Sequence, residues 1–427
     1  MKKIKLLYDA TVVCNILENN SSRSGIFFVA YNLLMGFLKR EEYEVYLYSK
    51  NPARLKKAVA NFSELNGCKI KEYSVLDNWL EDLYNIKAKN KKENKNAFVR
   101  FSSTLLISVL RHVSDTYLTY FKNIEGIDAY FSPANAVPSF IAKNKNIKKY
   151  VFLHDTIPLI NDYRDSAGHR WFYKLVRSIN GTDKYFANSI CTKEDFVKYV
   201  PKIKEENITV VPLSTGKPYF HIDNVDYIKN IKNKYGIPTD KKYIFSLCNL
   251  DPRKNLVFSI KNFLKFIEKH NLDDFIFVLG GSHFSDFKTI LNKSIADLGE
   301  KQNKILRIGY VDDDDMSALY SGAEMFLFPS LYEGFGMPVL EAMKCALPVI
   351  CSNTTSLPEV IGDCGIQINP QSDDEMISAM EKMYFDRDFR SECIAKGLER
   401  AKQFTWGKCI DMISNVIKED MGCQKFQ

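Results

Sequence analysis

The sequence has no long apolar run, and this absence limits the classes of protein it can encode. No stretch approaches the roughly 18 consecutive apolar residues that a membrane-spanning helix requires. The basic start, MKKIKLLYDATVVC, resembles a secretion signal, but Asp9 interrupts its apolar part after a few residues. We therefore expect a first β-strand at this place, not a signal peptide, and a protein located in the cytoplasm.

Paired cysteines and the common phosphate-binding motifs are also missing. The 10 cysteines are scattered, none lies in a C-x-x-C pair, and the 6 histidines form no metal-like cluster with them. Isolated cysteines in a large chain are typical of a reducing compartment. No G-x-G-x-x-G with a following acid marks a nicotinamide site, and no G-x-x-x-x-G-K-[ST] marks a P-loop. The pattern predicts neither a bound metal nor a resident cofactor.

Charge is unevenly distributed along the chain. The total is +7, but residues 1–220 carry a net charge of +12 and the remainder carries −5. A basic half suggests a polyanionic neighbour: nucleic acid, an anionic membrane or a phosphorylated substrate. Residues 87–100 alone hold six cations and one acid, and an apolar stretch follows. This predicts contact between residues 87–110 and an anionic leaflet, with a solubilising loop before a core helix as the alternative.

Short β-rich runs alternate with amphipathic helical stretches along the whole chain. We predict strands at Lys3–Tyr8, Tyr43–Tyr48, Ala129–Ser132, Tyr150–His154, Lys184–Ala187, Ile208–Pro212, Tyr243–Leu247, Phe275–Leu279, Ile305–Ile308, Met325–Phe328 and Pro348–Cys351. Such alternation predicts the α/β class with parallel sheets. Eleven strands in two groups fit two sheets better than one, and the glycine- and proline-containing stretch Ser214–Thr239 separates the groups. We therefore predict domains at 1–215 and 216–405.

The most informative stretch is FLFPSLYEGFGMPVLEAMKCALP. A strand runs into the loop Glu333–Gly336, Pro338 then opens a helix, and Glu341 lies one turn inside it. The two glycines let the backbone approach a ligand closely, and a helix N-terminus offers free N–H groups to an anion. Carboxylates are good acceptors for sugar hydroxyls. Both glutamates can face one ligand at the carboxyl edge of a sheet, where such folds bind their ligands.

Five ordered motifs carry a resemblance to a known family. They are LHDTIPL, LCNLDPRKN, GYVDDDDMSALYSGAE, PSLYEGFGMPVLEAM and SNTTSLPEVIGD. Together they resemble the GT-B glycosyltransferases of family 4, whose mark is two glutamates separated by seven residues. The resemblance is dense over about 240–410 and thinner before it. It implies two doubly wound Rossmann-like domains that face each other across a cleft. The first domain would serve the acceptor and the second the nucleotide sugar, and residues 406–427 would form a helix that packs back on the first domain.

The same resemblance assigns roles to individual residues. Glu333 would bind hydroxyls of the donor sugar, Glu341 the ribose, and Arg253 with Lys254 the diphosphate. The pair His154-Asp155 would reach the donor sugar. Gly25 follows Ser24 in a segment that resembles the glycine loop of the first domain. The predicted catalytic residues are Glu333, Lys254, Arg253 and His154, and the predicted substrate-binding residues are Glu341, Gly334, Phe335, Gly336, Met337, Gly25 and Asp155. The family's additional arginine near Cys248 is missing here, which leaves the diphosphate to two cations.

The acidic run Asp312–Asp315 invites comparison with a metal site. It directly precedes a predicted helix, where acids cap free N–H groups and meet the positive helix end. We therefore interpret the run as helix capping and expect no metal there.

The resemblance implies a retaining transfer of a hexose, mannose-like as the best match, from a GDP- or UDP-sugar that acts as co-substrate. The acceptor would be a glycan or a lipid-linked saccharide in bacterial surface polysaccharide synthesis, at the inner face of the cytoplasmic membrane. Nucleic acid as a partner would leave the C-terminal motifs unexplained. A phosphorylase, an epimerase and a non-catalytic sugar-nucleotide-binding protein are the alternatives.

Overall fold

A computed structural model describes residues 3–14, 25–50, 52–70, 124–160, 166–281 and 287–422, together with Leu106. Apart from Leu106, the segment 87–110, for which membrane contact is predicted, lies outside the described residues. None of the helices in the described ranges combines the length and the apolar run that a membrane crossing requires.

The first half of the chain forms one parallel sheet of seven strands. These are β1 (Ile4–Asp9), β2 (Tyr43–Tyr48), β3 (Lys69–Ile70), β4 (Ala129–Ser132), β5 (Lys148–Leu153), β6 (Lys184–Ala187) and β7 (Ile208–Val210). Their order across the sheet is β3-β2-β1-β4-β5-β6-β7. Every residue of β4 is buried, as expected for a parallel sheet with helices on both faces.

The second half repeats this topology with six parallel strands. These are β8 (Lys242–Leu247), β9 (Phe275–Gly280), β10 (Ile305–Gly309), β11 (Met325–Phe328), β12 (Val349–Ser352) and β13 (Ile366–Ile368), in the order β10-β9-β8-β11-β12-β13. Two Rossmann-like sheets with helices confirm the predicted GT-B fold. All eleven predicted strands are present. The short edge strands β3 and β13 are two that the prediction missed.

Helices connect the strands and cover both faces of each sheet. In the first half they are Gly25–Leu38, Pro52–Asn61, Ser139–Ala142, Ile157–Ile160, Ser166–Ser178 and Ile190–Tyr199. In the second half they are Val225–Lys234, Leu256–Lys269, Phe287–Ala296, Met316–Ser321, Met337–Lys344, Leu357–Ile361, Asp373–Phe385, Arg387–Ala401 and Trp406–Asp420.

The helix Trp406–Asp420 packs against the first half of the chain, although it follows the second sheet. Its Ile410 lies over Gly36, where an added Cβ would come within 2.3 Å of the Ile410 Cγ1 atom. Near the end of the helix, Asp420 accepts a hydrogen bond from the Tyr150 hydroxyl at 2.8 Å. The chain therefore crosses between the two sheets twice, once after β7 and once before Trp406.

Each sheet reverses its strand order at one point, between β1 and β4 in the first sheet and between β8 and β11 in the second. Ligands of open α/β sheets bind beyond the carboxyl ends of the strands at such a point. The loops that follow β8 and β11 carry the two most informative motifs of the second half.

Candidate active site

A cavity of about 400 Å³ lies between the two halves and is lined by residues from both. All eleven residues that the sequence predicts for the site contribute to its wall: Gly25, His154, Asp155, Arg253, Lys254, Glu333, Gly334, Phe335, Gly336, Met337 and Glu341. The structure thus brings together side chains that lie more than 300 positions apart in the sequence.

The DPRKN motif forms a tight turn that presents two cations to the cavity. The Asp251 carboxylate accepts the backbone N–H of Arg253 at 2.9 Å, and Pro252 begins the short 3₁₀ helix Pro252–Lys254. Asn255 then adopts the left-handed conformation, with φ of 57°, which asparagine tolerates better than most residues. The chain turns sharply at this point and enters the helix Leu256–Lys269.

The loop after β11 is fastened by serine hydroxyls. Ser356 donates to the carbonyl oxygens of Glu333 and Phe335, at 2.9 and 2.8 Å. Ser330 donates to Oε1 of Glu333 at 2.6 Å. Gly336 has a φ of 118°, which a residue with a Cβ rarely adopts, and it leads directly into the helix Met337–Lys344. These contacts hold the Glu333 side chain at one place in the cavity wall.

Glu333 lies between two cations in a buried ion-pair cluster. The Lys254 ammonium group donates to Oε1, and the Arg253 guanidinium lies 3.0 Å from Oε2. Burial alone would raise the pKa of Glu333, but Lys254 and Arg253 outweigh it and lower that pKa to about 2. Burial lowers the pKa of Lys254, and Glu333 partly offsets this effect. The carboxylate is therefore ionised throughout the physiological range.

Glu341 lies at another part of the wall, in a very different environment. The Tyr320 hydroxyl donates to its Oε2 at 2.9 Å. Burial raises the pKa of Glu341 to about 7, although Tyr320, Tyr219 and Lys344 favour the charged form, while Asp313 opposes it. One glutamate of the pair is thus permanently charged, and the other changes its charge near neutral pH.

His154 and Asp155 contribute to the cavity from the end of β5. The ring Nε2 of His154 lies 2.7 Å from the carbonyl oxygen of Pro133, so this nitrogen carries the proton and donates it. Burial lowers the pKa of His154 to about 4, so the ring is neutral at pH 7 and its Nδ1 is an acceptor. Burial raises the pKa of Asp155, and Arg253 partly opposes that shift.

Gly334 approaches the other half of the chain, although its predicted role was close approach to a ligand. An added Cβ there would lie 2.3 Å from the carbonyl oxygen of His154. The carbonyl oxygen of Gly334 accepts hydrogen bonds from Ser189 at 2.7 Å and from Thr192 at 3.1 Å. The glycine is required because the two halves meet there, backbone against backbone.

A second contact between the halves involves Glu359, which the site prediction did not include. Its Oε2 accepts the backbone N–H of Ile190 at 2.7 Å, and its Oε1 accepts that of Cys191 at 2.9 Å. Both N–H groups belong to the first turn of the helix Ile190–Tyr199, where backbone donors have no partner within the helix. Glu359 therefore caps a helix of the opposite half. Glu359 lies in the SNTTSLPEVIGD motif, and this motif was the sequence signal from which its importance could have been predicted.

The interpretation of Asp312–Asp315 as helix capping is wrong in its detail. The run does precede the helix Met316–Ser321, but Asp315 makes no side-chain hydrogen bond to the helix start. The Lys234 ammonium group lies 2.8 Å from Asp312 and 2.6 Å from Asp315. Lys217 is similarly placed near the two acids between them. These carboxylates pair with lysines of another segment and do not cap the helix, because a full opposite charge attracts a carboxylate more strongly than a single N–H group does.

Gly25 and Met337 meet across the cavity. An added Cβ at Gly25 would lie 2.6 Å from Cε of Met337. Ser24, its neighbour in the predicted glycine loop, lies outside the described residues.

In the ranges that the structure covers, no group of three or more His, Cys, Asp and Glu side chains is placed to hold a metal ion.

Comparison with known proteins gives a consistent result. Residues 228–400 match the family model described as Glycosyl transferases group 1. The serotype-specific mannosyltransferase WbdA of Escherichia coli is 30% identical over 272 residues, which are 63% of this chain and 33% of that protein. The match to this chain therefore spans about a third of the length of WbdA.

Solved structures support the fold over almost the whole chain. WaaG, a glycosyltransferase involved in lipopolysaccharide biosynthesis, has a TM-score of 0.60 at 14% identity, with 96% of this chain and 99% of that chain covered. Anabaena Alr3699/HepE, solved in complex with UDP-glucose, has a TM-score of 0.64 at 15% identity, with 97% and 100% covered. At such low identity, these likenesses establish the architecture.

Proposed function

We propose that the protein transfers a hexose from a nucleotide-diphosphate sugar to a saccharide acceptor, because residues 228–400 match the glycosyl transferases group 1 model within a GT-B fold. The observation that carries this proposal is the convergence of Glu333, Glu341, Arg253 and Lys254 on one cavity between the two halves. The match to a mannosyltransferase favours mannose as the sugar. GDP or UDP as the nucleotide is what the family resemblance implies.

The donor would lie along the loops of the second sheet. Glu341 would accept hydroxyl groups of the ribose, and Arg253 with Lys254 would meet the diphosphate. Arginine can bind two phosphate oxygens at once, while lysine supplies a compact charge. Glu333 is charged at any physiological pH, so it is suited to accept hydrogen bonds from sugar hydroxyls.

Transfer would proceed with retention of the anomeric configuration. The rate would come mainly from positioning and from stabilisation of the departing nucleotide diphosphate by Arg253 and Lys254. The leaving phosphate would take the acceptor's proton as the new glycosidic bond forms. His154 is neutral, so it can accept a hydrogen bond through Nδ1 without adding positive charge near the sugar. Contact between the halves would exclude water, which matters because hydrolysis competes with transfer.

The acceptor would be a glycan or a lipid-linked saccharide of a bacterial surface polysaccharide. The basic segment 87–110 would place the protein on the anionic inner face of the membrane, where such acceptors are held. Liposome co-sedimentation tests this part of the proposal. Binding should require anionic lipid, weaken with salt, and fall when the five lysines between residues 87 and 95 become glutamine. Equal sedimentation of the glutamine variant would show that this segment is not the anchor.

Two steps test the central proposal. The first step is a thermal-shift measurement with GDP, UDP, GDP-mannose and UDP-glucose. One nucleotide and its sugar nucleotide should raise the melting temperature of the protein, because a ligand that binds the native state stabilises that state. Incubation of that sugar nucleotide with saccharide acceptors should then yield a glycoside. Phosphate-dependent breakdown of glycan would indicate a phosphorylase, epimerised donor without acceptor would indicate an epimerase, and binding without turnover would indicate a non-catalytic protein.

A further inference from the structure

We infer that Tyr320 is a positioning residue for nucleotide recognition, and that it enables Glu341 to select a ribonucleotide over a deoxyribonucleotide. The inference rests on the proposed function, because it concerns the ribose of the proposed donor. It adds a residue that contributes no atom to the cavity wall and acts through another side chain.

The Tyr320 side chain is fully buried, and its ring is fixed on several sides. It packs edge-on against Phe245 with centroids 5.3 Å apart, and against Phe326 at 5.4 Å. Its hydroxyl hydrogen-bonds Oε2 of Glu341 at 2.9 Å. A phenol held by packed rings has little freedom, so its O–H group fixes the position of the carboxylate that it contacts.

The Glu341 side chain is buried and lies on the helix Met337–Lys344. With one oxygen held by Tyr320, the carboxylate keeps one orientation relative to the cavity. A buried carboxylate oriented in this way can accept a hydrogen bond from a sugar hydroxyl at a defined point. An analogue without that hydroxyl leaves the ligand-facing part of the carboxylate desolvated without the hydrogen bond that the sugar would donate, which is costly and therefore gives selectivity.

Tyr219 supports the same arrangement from the segment that joins the two halves. Its ring lies edge-on to Tyr320 with centroids 6.0 Å apart, and its hydroxyl contacts Sδ of Met316 at 3.0 Å. The same segment is tied to the second half at two other points. Lys344 donates to Thr215 at 2.9 Å, and the Lys217 ammonium group lies 3.1 Å from Asp313. The ribose end of the cavity is therefore built partly from the connection between the halves.

Tyr320→Phe removes only the hydroxyl and keeps the ring packing. Tyr243→Phe is the matched control, since Tyr243 is equally buried in the same half and donates to the backbone oxygen of Leu319, not to a carboxylate. The measurement is the affinity of UDP, GDP and their 2′- and 3′-deoxy forms for the full chain, the two variants and Tyr219→Phe. Initial rates with the preferred sugar nucleotide accompany it.

The unchanged chain and Tyr243→Phe should prefer the ribonucleotide to at least one deoxy form. In Tyr320→Phe that preference should fall by about tenfold, with weaker ribonucleotide binding and unchanged deoxynucleotide binding. Tyr219→Phe should show a smaller fall. KM for the sugar nucleotide should rise while kcat is preserved, because the contact is made equally in the bound and transition states.

An unchanged preference in Tyr320→Phe, or an equal loss in Tyr243→Phe, would overturn the inference and leave the proposed function standing. The same holds if the unchanged chain binds ribo- and deoxynucleotides equally. If it binds neither UDP nor GDP, the proposed function fails and the inference fails with it.

Discussion

The Lys254 ammonium group lies against the carboxylate of Glu333, the Arg253 guanidinium contacts the same carboxylate, and Asp251 lies 3.7 Å from Arg253. The site is therefore nearly balanced in charge before a donor enters. A diphosphate would bring negative charge to cations that already have a partner, and sugar hydroxyls would bring hydrogen-bond donors to the glutamate. We expect the two cations and the Glu333 carboxylate to hold the donor together, and neither the cations nor the carboxylate to be sufficient alone.

The first prediction concerns turnover. Glu333→Gln and Lys254→Ala should each lower the transfer rate on the order of a hundredfold, the usual scale for removing one preorganised electrostatic contact. Lys265→Ala is the control, since Lys265 is an exposed partner of Asp373 on the same half. A rate near that of the unchanged protein in either folded variant would remove that residue from the site.

The second prediction concerns stability, which the same pair affects because it is buried. Lys254→Met should lower the free energy of unfolding by about 3 kcal/mol, because it removes one of the two cations that offset the burial of the Glu333 carboxylate. Adding Glu333→Gln should recover part of this loss. Chemical denaturation of the two single variants and the double variant measures the coupling. Strictly additive losses would contradict a direct interaction between the two side chains.

The limits of sequence reasoning are visible at the same loop. Glu333, Lys254 and Arg253 could be predicted because each follows a strand in a recognisable motif, and the loops after β8 and β11 converge in this fold. The partner of Gly334 could not be predicted, because contact with His154 depends on how the two halves are placed. Lys234 and Asp315 are 81 positions apart, so the local pattern suggested capping and concealed the ion pair. The missed strands β3 and β13 are two and three residues long, too short for any periodic signal.

The third prediction concerns pH, through Glu341. Its pKa in the folded protein is about 7, so the carboxylate gains its charge as pH rises through neutrality. A charged carboxylate accepts a hydroxyl hydrogen bond more strongly, so affinity for the sugar nucleotide should increase between pH 6 and 8. Glu341→Gln should bind more weakly and lose this dependence. A sugar nucleotide suits the titration, since its diphosphate does not change protonation in this range. An identical pH profile in the two proteins would count against the assignment.

The raised pKa of Glu341 also makes the free energy of unfolding depend on pH. Between the ordinary glutamate pKa of 4.5 and about 7, the folded protein keeps a proton that the unfolded chain releases. The contribution of Glu341 to the free energy of unfolding therefore falls as pH rises through this window. The difference in stability between Glu341→Gln and the unchanged protein should shift in favour of the variant from pH 4.5 to 8.

The fourth prediction concerns the contact between the halves. Glu359→Ala removes both acceptors from the start of the helix Ile190–Tyr199, and a capping interaction is worth about 1 kcal/mol. The equilibrium between the described arrangement of the two halves and a more open one should therefore shift about fivefold toward the open arrangement. Small-angle X-ray scattering would detect this shift as a larger radius of gyration. Glu375→Ala is the control, because Glu375 accepts the backbone N–H of Asn369 within one half. An equal change in both variants would show that the effect is not specific to the cleft.

The fifth prediction concerns metal. The acids of Asp312–Asp315 are close to lysine ammonium groups, which already supply the positive charge that a cation would provide. Transfer should therefore persist in the presence of EDTA. If EDTA abolished the activity and manganese or magnesium restored it, the interpretation of these acids would be wrong or the protein would hold a metal at another site.

The helix Trp406–Asp420 also affects how the chain folds during its synthesis. Ile410 of this helix packs on Gly36, so the groove along the helix Gly25–Leu38 stays uncovered until residues far downstream have been made. At typical rates of translation, the roughly 210 residues after β7 take on the order of 10–40 s to emerge from the ribosome. During that interval the apolar surface that Ile410 later covers on the helix Gly25–Leu38 is exposed on the nascent chain.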